Sequence, residues 1–372
     1  MRTVCDKDMC AGCMACLEKC PKNCISIVDS LLAYNAVIDE EKCINCNACH
    51  EVCQTNHPAP SRVTLEWKEG WSYDSEIRKQ SSSGGLASAI EKAFVADGGI
   101  VCSCAFKDGR FGFDFAENQD EVNKFVGSKY VKSNPAGIYK RVSKELRNGR
   151  KVLFVGLPCQ VAAMINFVGK KNAENLYTVD LICHGTPSPK VLEKFLNQHG
   201  TDIYKMKDIS FRRKVKFHVK GDSKYFSTPG TMDKYSIAFL NCVCYTENCY
   251  SCNYAKRDRV SDLTVGDNWG SGLPIDELRK GVSLILCQTD KGRQLLNNSQ
   301  LTLREVDVEK AVAHNGQLKH PSNKPNSRQL FFDEILRDNS FDRIIWRIYP
   351  KTCIKQTIKK VLIKLNLWGG VE

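Results

Sequence analysis

Cys10-Ala11-Gly12-Cys13-Met14-Ala15-Cys16-Leu17-Glu18-Lys19-Cys20-Pro21 and Cys43-Ile44-Asn45-Cys46-Asn47-Ala48-Cys49-His50-Glu51-Val52-Cys53 are two copies of one spacing, C-x2-C-x2-C-x3-C. Three cysteines two residues apart can wrap three irons of one cubane, which leaves the fourth pointing away from it. In two-cluster ferredoxins that fourth cysteine ligates the other cluster. The spacing therefore assigns one cluster to Cys10, Cys13, Cys16 and Cys53, and a second to Cys43, Cys46, Cys49 and Cys20. A zinc module would use two separated C-x2-4-C pairs, and a disulfide framework suits a secreted chain. The second copy runs on into Gln54 where the first has Pro21, which bears on turn rigidity rather than on ligation. Residues 25–38, between the copies, alternate as a short hairpin does. Residues 1–57 thus read as an α+β, ferredoxin-like domain with two [4Fe–4S] clusters.

The chain has 372 residues, so a sizeable second domain is expected. Its 20 cysteines and its polar N-terminus, without an apolar leader, point to a reducing, cytoplasmic setting. No stretch approaches the length of a membrane span. Lys and Arg number 54 against 42 Asp and Glu, a formal net charge of +12, which suits acidic partners. No nucleic-acid module accompanies that charge, so nucleic acid is not an expected partner. The excess gathers at residues 205–224, with Arg212, Arg213, Lys214, Lys216 and Lys220, and at residues 343–364. A solvated basic face is the plain reading of both. In the tail, Ile354, Ile358, Val361, Leu362 and Leu365 share one helical face, Lys355, Lys359, Lys360 and Lys364 surround the other, and Trp346 and Trp368 flank them. Such a helix either lies in an anionic interface at the inner face of the membrane or packs on the core.

His57-Pro58-Ala59-Pro60-Ser61 marks the end of the ferredoxin module, and 58–75 reads as a linker. Over 76–325 strands and helices succeed one another. Ser81-Ser82-Ser83-Gly84-Gly85 opens a helix through Leu86, Ile90 and Phe94, and residues 100–106 form a strand with Cys102 and Cys104 as small buried side chains. Residues 151–155 form a strand, Gly156-Leu157-Pro158-Cys159-Gln160 a loop into a helix, and residues 176–182 another strand. Ser188 caps a helix that starts at Pro189. This succession predicts an α/β domain with a largely parallel or mixed sheet, followed by a basic helical tail at 326–372. The C-terminal ends of parallel strands share one edge, where open α/β folds bind ligands. Cys159 and Cys183 would emerge there side by side. Cys249 and Cys252 can complete a four-thiolate set with them, in competition with Cys242 and Cys244. Ser81 to Gly85 offers N–H groups and hydroxyls to a diphosphate, although such a start is also an ordinary cap.

The ferredoxin module followed by Ser83-Gly84-Gly85, Gly127-Ser128-Lys129-Tyr130, Gly156-Leu157-Pro158-Cys159-Gln160, Cys183-His184-Gly185, Cys249-x2-Cys252 and Ser261-Asp262-Leu263-Thr264-Val265-Gly266-Asp267 resembles the coenzyme F420 hydrogenase/dehydrogenase beta-subunit family. The resemblance runs from residue 3 to residue 320. It implies an α/β flavin-binding domain with FAD beside a third [4Fe–4S] cluster, held by Cys159, Cys183, Cys249 and Cys252. It implies that Lys129, Tyr130 and Ser133 line the flavin. Ser81, Ser83, Gly84 and Gly85 would then hold the diphosphate, and Thr264 and Gly266 would meet the isoalloxazine. His184 would donate a proton near the flavin or hydrogen-bond a cluster sulfur, and Asp267 would be an acid–base group or a turn former. The implied protein is an iron–sulfur flavin oxidoreductase. Reduced ferredoxin or a redox partner subunit would load three clusters, which feed FAD and then a small-molecule acceptor such as coenzyme F420. The alternative is an electron-transfer subunit with no substrate of its own, serving a hydrogenase, a dehydrogenase or a glycan-modifying enzyme. Cys5, Cys24, Cys242 and Cys244 fall outside the ligand sets.

Overall fold

The computed structural model describes residues 2–367, so Trp368 lies outside the described residues. The duplicated spacing is a duplicated backbone. Short helices Ala15–Lys19 and Ala48–Val52 start after Met14 and Asn47, the same position of each copy, and both of these residues are left-handed. The alternating stretch between the copies is an antiparallel hairpin of β1 (Ile25–Asp29) and β2 (Tyr34–Ile38), with Ile27 opposite Ala36.

The second domain is built on one sheet. Its strands are β3 (Glu66–Ser72), β4 (Ile100–Lys107), β5 (Arg110–Ala116), β6 (Val152–Gly156) and β7 (Leu176–Leu181). Three more strands, β8 (Ile209–Arg213), β9 (Lys216–Gly221) and β10 (Lys224–Tyr225), form a small separate antiparallel sheet. The main sheet then adds β11 (Leu263–Asp267), β12 (Ser283–Cys287) and β13 (Leu301–Glu305). The order is β13-β3-β12-β11-β7-β6-β4-β5. β4, β6, β7 and β11 are mutually parallel and the outer strands antiparallel, so the sheet is mixed. Every residue of β6, Val-Leu-Phe-Val-Gly, is buried, as expected of a central parallel strand covered on both faces. The helix Leu86–Ala96 covers one face through Leu86, Ile90 and Phe94. The helices Tyr139–Arg147 and Pro158–Val168 cover the other through Tyr139, Val142, Val161 and Met164.

Three expectations change. The 58–75 stretch is not merely a linker, because β3 lies inside it and pairs with β12 and β13. Three of its seven residues are charged (Glu66, Lys68, Glu69), which masks the strand. Residues 205–224 are not only a solvated face, since they form the small sheet and bury Phe211 and Arg212. The tail divides. Helices Arg328–Leu336 and Phe341–Ile348 bury Phe331, Phe332, Ile335, Phe341, Ile344 and Ile345 among Phe195, Phe211 and Tyr235. The helix Pro350–Lys364 buries Cys353 and leaves Ile354, Ile358, Val361 and Leu365 exposed. Among the described residues, no helix is long and apolar enough to cross a membrane.

The ferredoxin module is locked onto the sheet domain. The Tyr139 hydroxyl donates to the Cys13 carbonyl, and the Glu18 carboxylate accepts from the backbone N–H of Gly137 at 2.6 Å and of Lys140 at 3.0 Å. The Tyr254 hydroxyl donates to the Gln54 carbonyl at 3.2 Å.

Candidate functional site

β6 and β7 are adjacent and parallel, with Val155 opposite Val179. Residues just beyond their C-terminal ends are therefore neighbours. Cys159 stands in the first turn of the helix Pro158–Val168, and Cys183 just past β7. The 3-10 turn Glu247–Ser251 carries Cys249 and leads into Cys252. All four cysteines line one cavity of about 240 Å³, together with Lys132, Tyr254 and Arg259. Burial, with the charges of Cys249 and Cys252, pushes the Cys183 thiol up to about 12. Cys159 is raised by the same causes. Four thiolates so close need positive charge among them. Cys244 is instead buried in the aromatic core, and Cys242 engages Tyr250 through its carbonyl, so neither reaches this cavity.

Arg259 fixes the turn after Cys252. Its guanidinium donates to the carbonyls of Tyr254 at 2.7 Å and Leu181 at 3.0 Å, and pairs with the fully buried Asp180 at 3.1 Å. In the ferredoxin module, Cys10, Cys13, Cys16 and Cys53 lie within electrostatic reach of one another in the core. Cys20, Cys43, Cys46 and Cys49 line a cavity of about 110 Å³, where Cys46 is exposed. The spacing left out a fifth thiol at each set. Cys5 is buried in the same cluster as Cys10 and Cys53, and Cys24 Sγ lies 3.3 Å from Cys20 Sγ. Cys49 acts on Cys16, and Cys159 on Cys13, so the three sets form a row.

Beyond Cys183 lies a larger cavity, of about 420 Å³. Leu157 and the Cys183-His184-Gly185 turn line both it and the four-cysteine cavity. Gly85, in the left-handed region at φ +85, starts the helix Leu86–Ala96 with no side-chain cap. Gly85, Leu86, Ala87 and Ser88 line the cavity, so the start of that helix borders it. Ser81, Ser83, Lys129, Tyr130, Ser133 and Gly266 line it as expected. Two expected residues do not. Gly84 gives its N–H to Ser283 Oγ at 3.0 Å, and a Cβ there would stand 2.6 Å from the Gly70 carbonyl. Strand packing is what requires that glycine. Thr264 lies two residues further back along β11 than Gly266, away from the strand's C-terminal end, with its hydroxyl between Arg259 and Ser261.

The walls are aromatic and charged. Tyr130 stacks on Phe239 with ring centroids 4.3 Å apart. Arg212 reaches across from the small sheet to Asp267 and lies 5.1 Å from the Trp269 ring. Lys214, at the tip of the β8–β9 hairpin, donates to the carbonyls of Ser81 at 2.9 Å and Ser83 at 2.8 Å, and also to that of Arg78. Burial, with Arg78 and Arg212 nearby, lowers its ammonium to about 8. Burial lifts the Glu91 carboxyl to about 7 and lowers the Lys129 ammonium that faces it. His184 opens onto the cavity, and burial lowers its imidazole. Sequence reasoning missed Glu91, Cys104, Phe217, Phe239 and Trp269 as lining residues, and read Arg212 and Lys214 as solvent-facing. The one available signal was Phe217 in the middle of the basic run, since an aromatic in a charged stretch marks a face with a partner.

Residues 149–310 match the family described as the C terminus of the coenzyme F420 hydrogenase/dehydrogenase beta subunit. Residues 9–57 match the 4Fe-4S dicluster domain. No curated protein matches the chain. Among solved structures, a chain of the xenon-derivatised F420-reducing [NiFe] hydrogenase complex from Methanosarcina barkeri is similar over 71% of this chain and 97% of that one. The two are 17% identical with a TM-score of 0.50, which speaks for a shared fold. With a cysteine row that ends at a large cavity, the chain joins a 4Fe-4S dicluster domain at its N-terminus to a region, residues 149–310, that matches the C terminus of the coenzyme F420 hydrogenase/dehydrogenase beta subunit.

Proposed function

We propose that this is an iron–sulfur flavoprotein that passes electrons between a redox partner and a small-molecule acceptor. The observation that carries the reading is the Cys183-His184-Gly185 turn, shared by the four-cysteine cavity and the large cavity. When bound, clusters would carry single electrons, and a flavin would pool two and release them as a hydride. The chain fits both groups. Cys159, Cys183, Cys249 and Cys252 supply the four thiolates of a third [4Fe–4S] cluster. The uncapped start of Leu86–Ala96, beside Ser81 to Ser83, suits the FAD diphosphate, because free N–H groups and the helix dipole favour an anion there.

Cys46, exposed at the far end of the row, marks where reduced ferredoxin or a partner subunit would dock. Tyr130, Ser133, Lys129 and Gly266 line the cavity around the ring site, and His184 stands where it can hydrogen-bond flavin or acceptor. Asp267, with both oxygens engaged by Arg212, positions that guanidinium rather than shuttling a proton. An acceptor of the F420 type suits a cavity whose lining includes the cations Lys129 and Arg212. Among the described residues no cysteine is paired, in keeping with a reducing cytoplasm. The exposed basic helix Pro350–Lys364 suits contact with the membrane's inner face.

Anaerobic purification tests the reading. It calls for about twelve irons in three cubanes, one FAD per chain, and flavin bleaching by reduced ferredoxin without another subunit. About eight irons or absent flavin would refute it. Flavin that bleaches only with a further subunit would favour the pure electron-transfer alternative.

A further inference from the structure

Lys132 is a buried cation without a carboxylate partner among the described residues. It is 4% exposed. Its ammonium donates to the Ala11 carbonyl at 3.0 Å and lies 5.4 Å from the Tyr34 ring centre. Its backbone N–H is held by the Pro187 carbonyl at 2.9 Å. The side chain runs through a made slot. A Cβ at Gly12, where φ is +68, would stand 2.9 Å from Lys132 Cδ and 2.8 Å from the Tyr34 ring. An unpaired ammonium in such a place is costly unless negative charge surrounds it. Ala11 lies between Cys10 and Cys13 of the first set, and Lys132 also lines the cavity of Cys159, Cys183, Cys249 and Cys252. Its field reaches Cys10 on one side and Cys159 and Cys183 on the other.

We infer that Lys132 is the shared counter-cation of the first ferredoxin cluster and the flavin-side cluster, and raises the reduction potential of both. Adding an electron to a thiolate-bound cluster adds negative charge, so a fixed cation beside it favours the reduced form. Lys132 thereby ties the two clusters electrostatically, while the cluster of Cys43, Cys46, Cys49 and Cys20 lies outside its reach. The inference rests on the proposed third cluster.

Lys132→Gln keeps a donor for Ala11 but removes the charge, and Lys132→Met removes both. Redox titration of the anaerobic holoproteins, followed by electron paramagnetic resonance, should show two cluster potentials more negative in both variants and the third unmoved. Unchanged potentials in Lys132→Gln, or an equal shift of all three clusters, would overturn the assignment. Loss of iron in Lys132→Gln that Lys132→Arg does not share supports the charge, whereas loss in both makes Lys132 a packing residue and overturns it. A wild-type count of about eight irons removes the third cluster itself, which distinguishes failure of the proposed function from failure of Lys132.

Discussion

Arg212 and Asp267 form a two-point ion pair at the wall of the large cavity, Nη1 to Oδ2 and Nη2 to Oδ1, each 2.5 Å. Arg212 is on β8 of the small sheet and Asp267 ends β11 of the main one, so the pair ties the two sheets together beside the cavity. Arg212 is 6% exposed and Asp267 20%. Asp267→Ala would strand a buried guanidinium, at a cost of about 2–4 kcal/mol after allowance for that partial exposure. The double variant Arg212→Met/Asp267→Leu should recover most of the loss. Melting curves of the wild type, Arg212→Met, Asp267→Leu and the double variant give the coupling, and a double variant as unstable as the sum of the singles would show that the pair does not hold the sheets.

Cys183 separates wiring from chemistry. Cys183→Ala should lower the iron content from about twelve to about eight and leave FAD bound. Ferredoxin should then no longer bleach the flavin, while dithionite still does, because the ring site is intact. Ferredoxin-driven bleaching at the wild-type rate would take Cys183 off the electron route.

Ala87, half-buried in the first turn of Leu86–Ala96, lines the large cavity. Ala87→Asp puts negative charge at a helix N-terminus, which favours the helix by about 0.3–1 kcal/mol. The same charge repels a diphosphate. The expected variant melts no lower than the wild type without flavin, keeps its iron and loses its FAD absorbance. Retained FAD would place the diphosphate elsewhere.

What was legible follows from physical range. The eight cysteines of the dicluster domain's two runs sit in one short repeat, and Cys159 and Cys183 sit at the ends of two strands whose apolar runs announce a parallel pair. Local pattern therefore located them. Thr264 was misplaced because it sits two residues short of Gly266 at the strand end, where its hydroxyl is taken by Arg259, a partner that a local motif does not reveal. Gly84 looked like a phosphate glycine, yet its constraint comes from Gly70 on β3, a strand hidden by its own charges. Arg212 and Lys214 looked solvated because their partners, Asp267 and the carbonyls of Ser81 and Ser83, are distant in sequence.

Glu91 gives a pH dependence. Burial lifts its carboxyl from 4.5 to about 7, against the pull of Ser103 and Lys129. Between those values the folded protein holds a proton that the unfolded chain has released. Stability is therefore greatest below the lower value, falls as pH rises through the upper one, and stays lower beyond it. Glu91→Gln removes the titration. In flavin-free protein the variant should match the wild type near pH 5 and exceed it near pH 8 by about 1–3 kcal/mol. Melting temperatures at the two pH values check this, and a constant difference between the proteins would mean that Glu91 ionises normally.

The basic tail yields the last prediction. Cys353 is fully buried and Gln356 accepts from the Met232 N–H at 3.0 Å, so one face of the helix Pro350–Lys364 is fixed to the core. Ile354, Ile358, Val361 and Leu365 form the outer row, about half exposed or more, whereas Leu362 is half-buried. Lys351, Lys355, Lys360 and Lys364 flank that row on the same helix. Apolar burial in the interface and attraction to anionic headgroups would then act together, the latter at roughly 1 kcal/mol per basic residue near the surface. Removing residues 343–372 would not test this, because it takes Ile344, Ile345 and Cys353 out of the core. Ile358→Glu with Val361→Glu changes only the outer row. Wild-type protein should sediment at low salt with vesicles rich in phosphatidylglycerol and not with phosphatidylcholine alone. The double variant should stay in solution with unchanged melting temperature and iron. Wild-type protein that ignores the anionic vesicles would leave the row without a membrane role.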